Sequence, residues 1–210
     1  MTFFLIRDTI EKNAERKNVM DFDTLLKSRR TIRKFRQEPL GAEQIKKFID
    51  AARLAPSGAN IQPLKYVAVL SREMTQKLFP LVKWAGYLAP DYNPAEQERP
   101  TAYVAVCADL SLRKAGYEAD MGAAVENLIL SALSDGVGAC WMGAVDFDGA
   151  SKLLELDEQL KLLCVVALGY PAETPEETVM QENDVKYYIG ENGALHVPKR
   201  ALDDVLLKTV

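Results

Sequence analysis

Ser28-Arg29-Arg30-Thr31-Ile32-Arg33-Lys34-Phe35 is the stretch on which the reading of this chain turns. Six cations, Lys27, Arg29, Arg30, Arg33, Lys34 and Arg36, fall within ten residues, yet Ile32 and Phe35 interrupt them. Taken alone, such a run is a solvated charged face. Its flank suggests more. Asp21 is placed to cap a short helix that would bury Phe22, Leu25 and Leu26, after which Ser28 to Phe35 reads as extended. Extended backbone alternates its side chains, so Arg29, Thr31 and Arg33 share one face. Two double steps of roughly 6.6 Å carry that face over about 13 Å.

Outward from this segment, Ile45, Phe48, Ile49 and Ala52 follow Gly41 at the spacing of a helix, and Pro56 stops it. Tyr66 to Ser71 predicts a strand, Arg72 to Phe79 a short helix and Tyr103 to Ala108 a second strand. Lys83 to Pro100, with three prolines and the exposed-looking Trp84, Tyr87, Leu88 and Tyr92, is too long for an ordinary connection and reads as a lid-like insertion. Met121, Ala124, Val125, Leu128, Ile129, Ala132 and Leu133 form the most regular helical stripe, a central helix closed by Gly136. Ala139 to Met142 and Leu162 to Leu168 read as buried strands around a short helix near 150–156. Leu195 to Val197 is extended, and a last helix buries Leu202, Val205 and Leu206. The order β-α-β-α-β-α-β with helices before the sheet gives an α+β domain over 20–210, preceded by a peripheral arm, 1–19.

Composition bounds the chemistry. The 210 residues, 48% hydrophobic and 27% charged, suit one globular domain with a sizeable core. Apolar runs end well short of the eighteen or so residues that cross a bilayer, and Phe3 to Ile6 is too short for a signal-peptide core, so a soluble cytoplasmic protein is expected. Cys107, Cys140 and Cys164 sit in apolar stretches and read as reduced core residues. His196 is the only histidine, which excludes a His-based metal cluster and leaves no Ser-His-Asp or Cys-His arrangement not built on it. No metal is expected, and His196 reads as a surface residue. A net charge of −4 disfavours a nucleic-acid surface, as does Phe35 standing alone as an aromatic platform in the basic run. Catalysis must therefore be borrowed or carboxylate-based.

The 13 Å face has the reach of a phosphorylated flavin from phosphate to pyrimidine ring. Two guanidinium groups and a hydroxyl in line could hold a dianionic phosphate at one end and an electron-rich ring at the other. Ala55-Pro56-Ser57-Gly58-Ala59-Asn60-Ile61-Gln62-Pro63 is either a plain helix-to-strand loop or, through Gly58, a backbone that approaches a planar ligand. Asp120, Glu126 and Asn127 off the apolar stripe, and Glu173, Glu176 and Glu177 near the tail, read as solvated. Trp84 and Tyr87 either line a substrate pocket or anchor the loop.

Four segments in register, Ser28 to Phe35, Ala52 to Pro63, Gly136-Val137-Gly138-Ala139-Cys140-Trp141-Met142-Gly143 and Ala167-Leu168-Gly169-Tyr170-Pro171, resemble the nitroreductase family of FMN flavoproteins from about Met20 to the C-terminus. The resemblance implies a nitroreductase-like α+β fold, a central mostly antiparallel sheet surrounded by helices, in an intertwined homodimer with FMN at the interface. It implies that Arg29 holds the FMN phosphate beside Thr31, that Arg33 faces the N1/O2 edge, and that Arg30 faces solvent or phosphate. Pro56, Ser57, Gly58, Asn60 and, more weakly, Gln62 would contact the flavin of the other subunit. Backbone N–H groups of Met142 and Gly143 would point to N5 and O4, and Lys199 and Arg200 match the basic C-terminal phosphate contacts. The implied activity is NADH- or NADPH-dependent ping-pong reduction of nitroaromatics, quinones or similar small acceptors, with no nucleic acid or membrane partner. Reductive dehalogenation, flavin fragmentation or flavin binding without turnover stand as alternatives on the same scaffold. One departure is visible: 83–100 holds no counterpart to the Asn and Lys that some members place near the flavin.

Overall fold

A computed structural model of the chain describes residues 21–88 and 92–210. The arm 1–19 and three residues of the 83–100 insertion therefore lie outside the described residues. Helix α1 (Phe22–Ser28) begins at Asp21, whose carboxylate accepts the Thr24 N–H at 3.1 Å. The chain then opens at Arg29 (φ −60°, ψ 118°), as the sequence predicts. Helix α2 (Ala42–Arg53) buries Ile45, Phe48 and Ala52 and stops before Pro56. Strand β1 (Leu64–Val69), helix α3 (Arg72–Leu78), strand β2 (Ala102–Asp109), helix α4 (Glu118–Ser134), strand β3 (Gly138–Met142), helix α5 (Phe147–Leu153) and strand β4 (Leu160–Gly169) follow in the expected order.

The four strands form one sheet in the order β1-β2-β4-β3 with every neighbouring pair antiparallel. Strand β2 is buried along its whole length, because both faces of the sheet are covered. Ala102, Val104 and Val106 face α2 and α4 beside Phe48 and Leu128, while Tyr103, Ala105 and Cys107 face a second cluster with Leu78 and Trp84. The register of β2 on β4 slips between Val106↔Cys164 and Cys107↔Leu162, so Leu163 is an extra residue. That bulge reverses the alternation. Cys164 packs in the first cluster and Leu162, two positions away, in the second. All three thiols are buried and free, as expected.

The basic segment is clamped onto this sheet. Thr31 bridges Ala139 of β3 in parallel, the Ile32 N–H donates to the Ala139 carbonyl at 2.9 Å, and Phe35 bridges Pro171. Close approach requires glycine on the sheet side. A Cβ on Gly138 would sit 2.6 Å from Ile32 Cγ1, and one on Gly169 would sit 2.9 Å from the fully buried Phe35 ring. Ile32 and Phe35 point in, while Arg29 and Arg33 are half-buried.

Several expectations about burial are corrected. Phe22 and Leu26 are exposed, because a helix of seven residues presents only Leu25 to the core. Leu202, Val205 and Leu206 of the last helix, α6 (Leu202–Val205), are exposed too. The tail adds a second sheet that local pattern did not announce, formed by β5 (Glu176–Val179), β6 (Tyr188–Ile189) and β7 (Leu195–Lys199) in the order β5-β7-β6. Among the described residues no helix is long and apolar enough to cross a membrane.

Candidate functional site

A cavity of about 200 Å³ opens beside the clamped segment, walled by Arg29, Arg30 and Ile32, by Ile129 and Leu133 of α4, and by Gly138 and Ala139. Arg29 Nε lies 3.3 Å from Glu126 Oε1, and the buried Arg30 guanidinium pairs with Glu177 of β5. Arg30 therefore does not face solvent. Burial, then the charge of Arg29, pulls the Arg30 guanidinium below its usual value, although an arginine stays charged at any physiological pH.

Arg33 is held more firmly. Its backbone N–H, and that of Lys34 at 3.1 Å, donate to Glu173 Oε1, while Tyr92 donates to Glu173 Oε2 at 2.5 Å. Burial, then that carboxylate, raises the Tyr92 phenol far above its ordinary value. The guanidinium of Arg33 stands 4.6 Å from the Tyr187 ring centre, and its Nη1 is buried without a hydrogen-bond partner among the described residues. Tyr187 in turn packs on Tyr87 at 5.0 Å. Glu173 is thus a structural partner of the basic run and not the solvated acid that the sequence suggests, whereas Glu126 and Glu177 pair with Arg29 and Arg30 while staying about half exposed to solvent, as expected.

The Pro56 to Gln62 loop borders a separate cavity of about 220 Å³ with Arg53, Tyr66 and Asp120. Gly58 N–H and the Ser57 hydroxyl both donate to Asp120, at 3.0 and 2.7 Å, and Ser57 Oγ accepts the Gln62 N–H at 2.9 Å. Asp120 is buried, against the expectation of solvation, and Asn127 donates to the Ala51 carbonyl at 3.2 Å. Burial pushes the Tyr66 phenol up to about 12. Asn60 is exposed, and the Gln62 amide reaches back to its carbonyl. Both cavities flank α4. Asp120 and Ala124 line one, Ile129 and Leu133 the other, so at 1.5 Å per residue their nearest walls on the helix stand about 7.5 Å apart.

The remaining candidates divide. Met142 is buried at the end of β3, whereas Gly143 is exposed, with nothing within 4 Å of where a Cβ would stand. Val82 bridges Val145, and Lys83 N–H donates to the Ala144 carbonyl at 2.9 Å, which docks the start of the 83–100 segment beside this strand end. Trp84 is buried and stacks on Phe79 at 5.7 Å, so it anchors the loop, contrary to its exposed look, while Tyr87 is exposed. Lys199 is exposed on β7 and Arg200 donates to Asn183 at 2.7 Å; the structure does not bring either into contact with Arg29. His196 is no bare surface residue either, for it stacks on Tyr188 at 5.1 Å beside Glu176. Among the described residues no three or more His, Cys, Asp or Glu side chains gather as metal ligands.

Comparison with known proteins resolves which family builds such a sheet, clamp and loop. The profile of the nitroreductase family matches residues 26–170. The chain belongs to the nitroreductase family. A provisional NADH dehydrogenase/NAD(P)H nitroreductase of Methanothermobacter thermautotrophicus is 35% identical over 162 residues, covering 74% of this chain and 80% of the relative. The NADPH-flavin oxidoreductase of Vibrio harveyi is 30% identical over 164 residues, covering 73% and 67%. A solved provisional nitroreductase of Desulfovibrio desulfuricans, in complex with FMN, superposes with a TM-score of 0.65 over 89% of this chain and 95% of that one, at 22% identity. In this nitroreductase-family chain the match spans from within α1 to just beyond β4, so the small sheet that holds Glu177, Tyr188 and His196 lies outside it.

Proposed function

We propose that this chain is an FMN-dependent oxidoreductase that takes reducing equivalents from NADH or NADPH and passes them, by a ping-pong cycle, to a nitroaromatic, quinone or similar small acceptor. The observation that carries the reading is the Nη1 of Arg33, buried without a hydrogen-bond partner among the described residues, on a segment bridged to the sheet at Thr31 and Phe35, with Arg29 four positions before it at the wall of the cavity of about 200 Å³. A buried donor with no acceptor is costly unless a ligand completes it. The donor set fits FMN: cations for a phosphate at one end, a lone guanidinium for a ring edge at the other, and the open backbone at Gly143 for a flat ligand. The names of the Vibrio and Desulfovibrio proteins support the same cofactor.

FMN when bound supplies a ring that accepts hydride at N5 and releases two electrons to an acceptor. Arg29 binds the phosphate, for which it exchanges its half-exposed partner Glu126, and Arg30 and Thr31 line that end. Arg33 places positive charge at the N1/O2 edge, where negative charge collects on reduction. Glu173 fixes the Arg33 backbone and so the direction of its guanidinium. Met142 and Gly143 orient the N5/O4 edge through backbone N–H groups. Pro56, Ser57, Gly58, Asn60 and Gln62 reach the flavin of a second copy, which explains why one chain keeps its two cavities apart. Lys199 and Arg200 are assigned to phosphate on their basic character. Tyr87 borders the acceptor site under the 83–100 lid, and the homodimer works in the cytoplasm.

Anaerobic mixing of the purified protein with NADH or NADPH, followed by a panel of acceptors, tests this. Flavin absorbance is expected to bleach with the nucleotide and return with the acceptor, and initial rates to give the parallel lines of a ping-pong cycle. A colourless chain that takes up no FMN sinks the reading.

A further inference from the structure

The Pro56 to Pro63 loop is held in a shape its own sequence does not favour. Ala59, Asn60 and Gln62 have φ of 52°, 55° and 54°, left-handed values that Asn tolerates and that cost Ala and Gln more. Three such residues within four positions persist only where the surroundings over-determine them. Asp120 in the first turn of α4 does so. Its Oδ1 accepts the Gly58 N–H and its Oδ2 accepts the Ser57 hydroxyl, while Ser57 Oγ accepts the Gln62 N–H. One buried carboxylate therefore ties both ends of the left-handed run. Its counter-charge is Arg113, whose Nη1 lies 3.5 Å away and whose Nε is fixed on the Ala115 carbonyl at 2.9 Å. The guanidinium also backs the loop, since a Cβ on Gly58 would meet Nη1 at 2.8 Å. The Gly58 N–H, then the Ser57 hydroxyl and Arg113, holds the Asp120 carboxyl below the usual carboxylate range against the opposing effect of burial.

A connection from α2 to β1 needs neither a left-handed run nor a buried charge, and both are costly. A rigid surface offered to a ligand needs the first, and the second secures it. We propose that Asp120 is a positioning residue that sets the 57–62 loop in the shape that presents Ser57, Gly58 and Asn60 to the cofactor, a role that rests on the FMN reading above.

Asp120→Ala, Asp120→Asn and a core truncation elsewhere, Val106→Ala, test it by two readouts. Hydrogen exchange over 56–63 in the FMN-free chain reads the loop without any cofactor, and FMN titration reads its consequence. In Asp120→Ala, exchange is expected to accelerate at 56–63 while β2 and β4 keep their protection, and FMN affinity to fall roughly ten- to hundredfold, the scale of hydrogen bonds to a charged group. Asp120→Asn keeps one acceptor and a polar partner for Ser57, so it falls between Ala and wild type in both readouts, and it carries the test if the Ala variant does not fold. Val106→Ala lowers the thermal midpoint and changes neither readout. Unaltered exchange in both Asp120 variants overturns the anchor. Faster exchange with wild-type FMN affinity overturns the positioning role, as does an equal affinity loss in Val106→Ala. A wild-type chain that takes up no FMN overturns the functional reading instead, and the exchange arm still decides the anchor.

Discussion

Arg29 and Arg33 stand four residues apart in the segment bridged to β3 and are expected to do different work. At the phosphate end, a charge-assisted bond is worth roughly 1.5–3 kcal/mol, about tenfold to somewhat over a hundredfold in affinity. Arg29→Ala should therefore weaken FMN by that factor and leave riboflavin nearly untouched; parallel titrations check it, and equal losses would place Arg29 away from the phosphate. At the ring end of the proposed site, Arg33 would act on charge that appears only on reduction. Arg33→Gln should lower the midpoint potential by about 30–60 mV, since about 30 mV corresponds to roughly 1.4 kcal/mol for two electrons. Dye equilibration measures it. An unchanged potential at full flavin occupancy would make Arg33 a bystander.

Among the elements, the seam between the basic segment and β3 carries the precision of the site, because Arg29 and Arg33 inherit their places from Ile32 and Phe35. Gly138→Ala inserts a methyl 2.6 Å from Ile32 Cγ1 and 3.0 Å from Pro171 Cγ. Overpacking of this kind costs about 1–3 kcal/mol, and relief must come from the clamped segment. A lower denaturant midpoint is expected, together with weaker FMN binding. A variant with wild-type FMN affinity despite the lost stability would show that the clamp does not set the cation spacing.

For the whole molecule, the two cavities proposed as halves of one site lie towards opposite ends of α4 in one chain, and Phe22, Leu54 and Ile61 are exposed apolar side chains. Sedimentation is expected to find a dimer, and dilution to monomer to release FMN; a stable monomer with stoichiometric flavin would refute the shared site. The core makes a separate prediction. Burial pushes the Cys107 and Cys140 thiols up to about 11 and Cys164 up to about 12. Unfolded thiols titrate near 8.5. The folded state therefore holds these protons more tightly, and their contribution to stability is full below about pH 8.5 and is lost as pH rises through 11 to 12. Thermal midpoints measured from pH 7 to 11.5 should fall only on the alkaline side, and native thiols should resist alkylation at pH 8.

What the sequence by itself determined is whatever repeats along the chain at the period of its own element. The stripes of α2 and α4, the Asp21 cap, the apolar runs of β2 and β4 and the β-α-β-α-β-α-β order were all legible, because burial leaves its period on neighbouring residues. The extended conformation expected over 28–35 is found only in part: the chain opens at Arg29 but joins the sheet through isolated bridges at Thr31 and Phe35, and because Ile32 and Phe35 are both buried the segment does not keep a strict two-residue alternation. Only tertiary structure decided the fate of the isolated polar residues. Asp120 meets Ser57 across 63 positions and Glu173 meets Lys34 across 139, and a single carboxylate carries no period that names a partner so distant. Trp84 looked exposed because its loop is polar, and was buried by Phe79, which lies before that loop begins. The small sheet escaped notice because β5 and β6 span four and two residues, too short to show alternation, and they exist through their pairing with β7.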